Sequence, residues 1–135
     1  MNKQGKWLAV ALLMASTTLM ADDLAGADKI LCTAVQATRC PAEEECRTGA
    51  PWNWNIPQFI EVDLKKQQLA TTVASGENRA TPIKNLEREE GLLYLQGVEG
   101  GRAFSFVIDE ATGSLSVAVA TQAGTTTVLG ACTPR

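Results

Sequence analysis

The 135-residue sequence predicts an all-β protein: a single small antiparallel domain, stapled by disulfides and ending in a four-strand meander. Three observations carry this expectation. From Leu92 to Cys132, four short segments alternate apolar and polar residues and are separated by glycine-bearing turns. Four cysteines follow an N-terminus built like an export signal, the setting in which cysteines pair. After that signal, no apolar stretch is long enough to span a membrane as a helix. A chain of this size with about eight strands has two good outcomes, a closed or nearly closed barrel or a β-sandwich.

Residues 1–21 read as a secretory signal peptide. Lys3 and Lys6 precede an apolar run from Trp7 to Met14, small and polar residues continue to Ala21, and acids begin at Asp22. The run is shorter than the roughly 20 residues that cross a bilayer. Cleavage is expected after Ala21, with Ala25-Gly26-Ala27 as a second candidate site. Lys29-Ile30-Leu31 before Cys32 forms no lipobox, so the expected product is periplasmic or secreted, without stable membrane insertion. Loss of residues 1–21 leaves 114 residues carrying 10 basic and 15 acidic side chains. That length supports one domain burying about two-thirds of its unfolded surface. Its negative balance argues against nucleic acid as a partner.

Residues 22–28 are small, acidic and unpatterned, and read as a flexible leader before a single β domain over 29–135. Lys29 to Thr38 alternates, with Ile30, Cys32, Ala34 and Gln36 on one face. Cys40-Pro41 opens a loop through Glu43-Glu44-Glu45-Cys46, and Gly49 to Pro57 continues it with proline and glycine punctuation. Ile60, Val62 and Leu64 then face inward, while Glu61, Asp63 and Lys65 face out. Lys65-Lys66-Gln67 turns the chain into Gln68 to Ala74, and Ser75-Gly76-Glu77-Asn78 turns it again. Thr81 to Glu90 reads as an edge strand. In the meander, Leu93 and Leu95, then Phe104, Phe106 and Ile108, then Leu115, Val117 and Val119 form successive inward rows. Their bulk predicts a filled interior. The turns fall at Glu99-Gly100-Gly101, at Asp109 to Gly113 with glycine in the left-handed position, and at Gln122-Ala123-Gly124.

Two disulfides can be connected in three ways. The favoured pairing is Cys40 with Cys46, closing a short loop, and Cys32 with Cys132, joining the first and last strands. The spacing lacks paired CxxC elements and the chain has no histidine, which argues against zinc and against a redox-active pair.

The order and spacing of several short motifs resemble a family of small exported proteobacterial proteins without an assigned function. The residues concerned are Ile30-Leu31-Cys32, the cysteines to Cys46, Ile56-Pro57-Gln58-Phe59 with Val62-Asp63, and Gln96-Gly97-Val98-Glu99 with Arg102-Ala103-Phe104-Ser105. Ile108-Asp109 with Thr112-Gly113, and Gly130-Ala131-Cys132-Thr133, complete the set. The resemblance spans nearly the whole chain after residue 21. It implies a compact domain retaining its terminal cysteine, and it supplies no catalytic residues. Pro51-Trp52-Asn53-Trp54 looks peculiar to this sequence.

Without histidine, a serine or cysteine nucleophile has no imidazole base, and haem attachment of the c type has no ligand. Carboxylate-only hydrolysis would need two acids at a suitable separation, and Glu61, Asp63 and Asp109 are the candidates. Glu43-Glu44-Glu45 lacks the ligand spacing of a calcium loop. No catalytic residue, metal site or cofactor is expected. Trp52 and Trp54, on a proline-bounded loop, are the candidate binding residues, since exposed aromatics carry much of the energy in interfaces. The sequence therefore predicts an exported, non-catalytic binding or accessory protein that contacts another periplasmic protein or a cell-wall component. A lipocalin-like carrier of a small ligand is the alternative, ahead of an enzyme inhibitor or a carboxylate-only hydrolase.

Overall fold

Alternating side chains become strands here because one face of each can be buried against the others. The computed structural model describes residues 23–75 and 78–135, so the expected signal peptide over 1–21 and its expected cleavage after Ala21 lie outside the described residues. Among the described residues ten strands form: β1 (Lys29–Pro41), β2 (Arg47–Gly49), β3 (Phe59–Asp63), β4 (Gln68–Thr71), β5 (Ala80–Pro82), β6 (Asn85–Glu89), β7 (Leu92–Glu99), β8 (Arg102–Asp109), β9 (Ser114–Thr121) and β10 (Gly124–Pro134). They build one antiparallel sheet in the order β5-β4-β3-β1-β10-β9-β8-β7-β6, with β2 beside β1. The sheet curls into a half-barrel, and the predicted meander is β7 to β10.

The registers define two ends. Lys29 opposite Asp63, Ile30 opposite Pro134 and Leu92 opposite Asp109 lie at the lower end. Pro41, Gly124, Thr121, Arg102 and Glu99 follow one another across the upper end. The 13-residue β1 is the spine, paired along one side with β10 and along the other with β3 below and β2 above.

The sequence reads Thr81 to Glu90 as a single edge strand, and the structure divides it. β5 pairs with β4 at one edge of the sheet, and β6 pairs with β7 at the other. Between them the Ile83 amide donates to the Gln67 carbonyl and the Lys84 amide to the Gln96 carbonyl, each at 2.8 Å. One bent segment therefore belongs to both edges. Pro82, with no amide proton to continue a ladder, stands where the first pairing stops, and Ile83 beside it is buried.

A second departure lies in β1. Ala34 pairs with Gly130 and Gln36 with Leu129, leaving Val35 as a bulge. An extra residue reverses the alternation beyond it. Of the residues read as one face, Ile30, Cys32 and Ala34 are buried, but the next buried residue is Ala37, while Val35 is 63% exposed and Gln36 also faces solvent.

The lower half is filled by Leu24, Ile30, Val62, Leu93, Leu95 and Ile108. Leu24 corrects the reading of a flexible leader: its side chain is 0% exposed and its amide donates to the Glu110 carbonyl at 2.7 Å. Burying a leucine is worth roughly 1.5 to 3 kcal/mol, enough to dock a short polar segment across the barrel's end. Beside it the largely buried Glu110 carboxylate accepts a 2.5 Å bond from Nε of Arg88. The disulfides join Cys32 to Cys132 and Cys40 to Cys46, the favoured connectivity. Cys32 and Cys132 stand directly opposite in the ladder, so this bridge crosses the middle of the sheet and leaves its two edges unstapled.

Candidate functional site

The inward rows of β8 and β9 are bulky, yet the upper half of the half-barrel is not filled. Phe104, Phe106, Leu115 and Val117 project toward a wall whose own inward residues are small, including Ala34 of β1 and Thr126 of β10. The mismatch leaves a cavity of about 350 Å³. The two phenylalanine rings meet edge to face, with centroids 5.8 Å apart and planes at 76°. This corrects the expectation of a filled interior: the rows predicted to face inward in β7 to β9 do so, but Phe104 and Val119 remain only partly buried.

Three arginines and one glutamate stand around the entrance. Arg102 continues the inward row of Phe104 and Phe106 by one step, and Arg39 continues that of Ala37 beyond the bulge. Arg79 precedes β5, and Glu99 closes β7. The Glu99 carboxylate accepts a bond from the Thr81 hydroxyl at 2.6 Å and another from Nη2 of Arg79 at 3.1 Å. It thus spans the gap between β5 and β7 that the backbone leaves open. The Thr81 hydroxyl, and then the guanidinium of Arg79 and the charge of Arg102, hold its pKa below the ordinary carboxylate value.

The tryptophan loop reaches the same end. Pro51–Trp54 forms one 3-10 turn, stopped by Asn55 in the left-handed conformation, with φ of 56°. Residues two apart in a helix of three residues per turn point in different directions. Accordingly Trp54 packs on the core and lines the cavity, while Trp52 is 60% exposed. The two candidate binding residues do not form one surface. Pro51, buried beneath them, anchors the turn.

The candidate acids are not brought together. Glu61 and Asp63 lie on β3, whereas Asp109 ends β8, with β1, β10 and β9 between. Glu61 pairs with Arg135 and Lys29, and Asp63 with Lys29. The Asp109 carboxylate accepts the amides of Thr112 and Ala111, both at 2.9 Å, and these bonds lower its pKa. It shapes the β8–β9 turn, where Gly113 has the predicted positive φ of 75°. Glu43, Glu44 and Glu45 are exposed, and no cluster of three or more metal-binding side chains occurs among the described residues. A second depression, at the lower end around Asp28, Lys29, Asp63 and Lys65, is lined by charged side chains that pair with one another, with Lys65 2.8 Å from Asp28.

Sequence reasoning did not single out Arg39, Arg79 or Arg102. The one usable signal was Arg102, which shares the phase of Phe104, Phe106 and Ile108. No known protein family, curated protein or solved structure matches this chain.

Proposed function

We propose that this protein is an exported, non-catalytic binding protein that takes a small, largely apolar ligand into the upper half of its half-barrel. The observation that supports this is the cavity of about 350 Å³, concave and apolar below with a few polar groups at its entrance, as small-molecule sites generally are. It puts the carrier reading ahead of the accessory module that the sequence alone favours. Two disulfides suit an oxidising compartment outside the cytoplasm. No helix among the described residues is long and apolar enough to cross a membrane. The periplasm, reached through the signal in residues 1–21, is the proposed location.

The test is titration with N-phenyl-1-naphthylamine, a neutral apolar dye that fluoresces when it leaves water. One saturable site is expected. Val119→Trp, which places a large ring at a half-buried cavity wall, should abolish uptake while retaining the strand spectrum and melting temperature. Dye uptake that survives this change, or no saturable uptake by the parent protein, would refute the reading.

The exposure of Trp52 supports a second reading, contact with an envelope protein or cell-wall component. Co-sedimentation with isolated peptidoglycan, compared between the parent protein and Trp52→Ala, tests its cell-wall form; equal pelleting would exclude a role for this ring.

A further inference from the structure

We propose that the ligand is an amphipathic anion, with an alkyl chain in the cavity and a carboxylate or phosphate head held at the mouth by Arg39 and Arg102. This rests on the cavity reading above and names the chemical class it would take.

The first reason is the placement of charge. Full charges on the inward phase of a strand are disfavoured by desolvation, yet Arg39, Arg79 and Arg102 all occupy inward-facing positions on the cavity lining. They do so only at the upper end, where all three remain hydrated. Among the described residues that line the cavity, one carboxylate stands against them, Glu99, engaged by Thr81 and Arg79. Arg39 and Arg102 make no ion pair among the described residues. The mouth is therefore cationic in a chain that carries more acids than bases. A general attraction of the surface for anions would not arise from that overall balance.

The second reason is fit. A guanidinium presents donors in a planar fork that matches the oxygens of a carboxylate or phosphate. Directly beneath the fork of Arg102, along the same strand, lie Phe104 and Phe106, so a head and a chain are recognised in succession. At about 30 Å³ per non-hydrogen atom, the cavity holds roughly a dozen such atoms, the scale of one medium-length chain rather than a diacyl lipid. A cationic amphiphile would meet like charge at the entrance, and a neutral alcohol would lack the head contact.

The experiment is displacement of N-phenyl-1-naphthylamine from the disulfide-intact protein by dodecanoate, dodecyl phosphate, dodecanol and dodecyltrimethylammonium, all kept below their micellar concentrations. At least one anion should bind about tenfold more tightly than dodecanol, and the better of the two identifies the head group. In the double variant Arg39→Gln, Arg102→Gln that preference should vanish while dodecanol affinity stays within twofold. Raising the salt concentration should narrow the preference in the parent protein, because the mouth is exposed. Equal binding of dodecanol and both anions, or tighter binding of the cation, would overturn the head-group assignment and leave the cavity reading standing. A preference that persists in the double variant would overturn the role of these two arginines. Failure of the dye itself to bind would overturn the cavity reading beneath both.

Discussion

Removing Cys32–Cys132 should cost this protein about twice as much stability as removing Cys40–Cys46, although both are single bridges. The two close loops of very different length, with sequence separations of 100 and 6 residues. If a disulfide acts by restricting the unfolded chain, the long closure contributes about 4.7 kcal/mol and the short one about 2.4 kcal/mol at 25 °C. The native side adds to the contrast. Cys32 and Cys132 are buried in the core cluster, whereas Cys46 is exposed, so alanine leaves a small void only at the first site. The difference of about 2 kcal/mol corresponds to roughly 10 °C in melting temperature for a domain of this size. Urea unfolding of the variants Cys32→Ala, Cys132→Ala and Cys40→Ala, Cys46→Ala, with the slope checked for constancy, measures both losses. Equal losses, or a larger one from the short loop, would refute the reasoning and show that native strain or residual unfolded structure outweighs chain entropy.

Three further outcomes follow from the packing. Leu24→Ala should destabilise by about 2 to 4 kcal/mol as a buried large-to-small change; by the same logic, intact-mass measurement should find the exported chain beginning at Asp22, since cleavage after Ala27 would remove this residue. Glu99 is more acidic in the folded than in the unfolded state, so its contribution is present above the unfolded value and is lost as pH falls through the folded one, below about pH 4. Melts of Glu99→Gln should differ from the parent by a few degrees at pH 6, given the modest worth of exposed pairs, and the gap should narrow as pH falls below about 4. An undiminished gap at pH 3 would remove the carboxylate from the explanation. Gly97→Ala would set a methyl 2.4 Å from Cζ of Phe104 and 3.0 Å from the Pro82 carbonyl. It should cost about 1 to 3 kcal/mol and drive the Phe104 ring into the cavity, reducing dye uptake; unimpaired uptake would show that the ring moves elsewhere.

Where each strand has one dry and one wet face, the alternation in the sequence reports it directly. Ile60-Val62-Leu64 and the rows of β7 to β9 are legible for this reason. The phase fails at Val35 because a bulge leaves no mark in local hydrophobicity: only the partner strand shows that one residue is unpaired. Arg39 owes its inward position to that hidden step, so its place at the mouth could not be read either. The bulk of β8 and β9 predicts a full interior because Ala34, a small residue of the wall they face, lies far away in sequence and Thr126 belongs to another strand. Leu24 sat among small and acidic neighbours, and one leucine without periodicity carries no signal of burial. The distance from Asp109 to the β3 acids depended on strand order, which alternation does not encode.

The segment from Ala80 to Glu89 gives the molecule a hard side and a soft side. β1 and β10 are held by an eleven-pair register and a covalent bridge, while the segment across from them is held by three pairs at one edge and five at the other. Its fastening at the mouth is made of side chains, Thr81 and Arg79 on Glu99. Widening the bore there severs no disulfide and shortens no long ladder. The Ile83 and Lys84 amides, bonded to Gln67 and Gln96, mark where this lightly fastened segment crosses from one edge to the other, opposite the stapled wall.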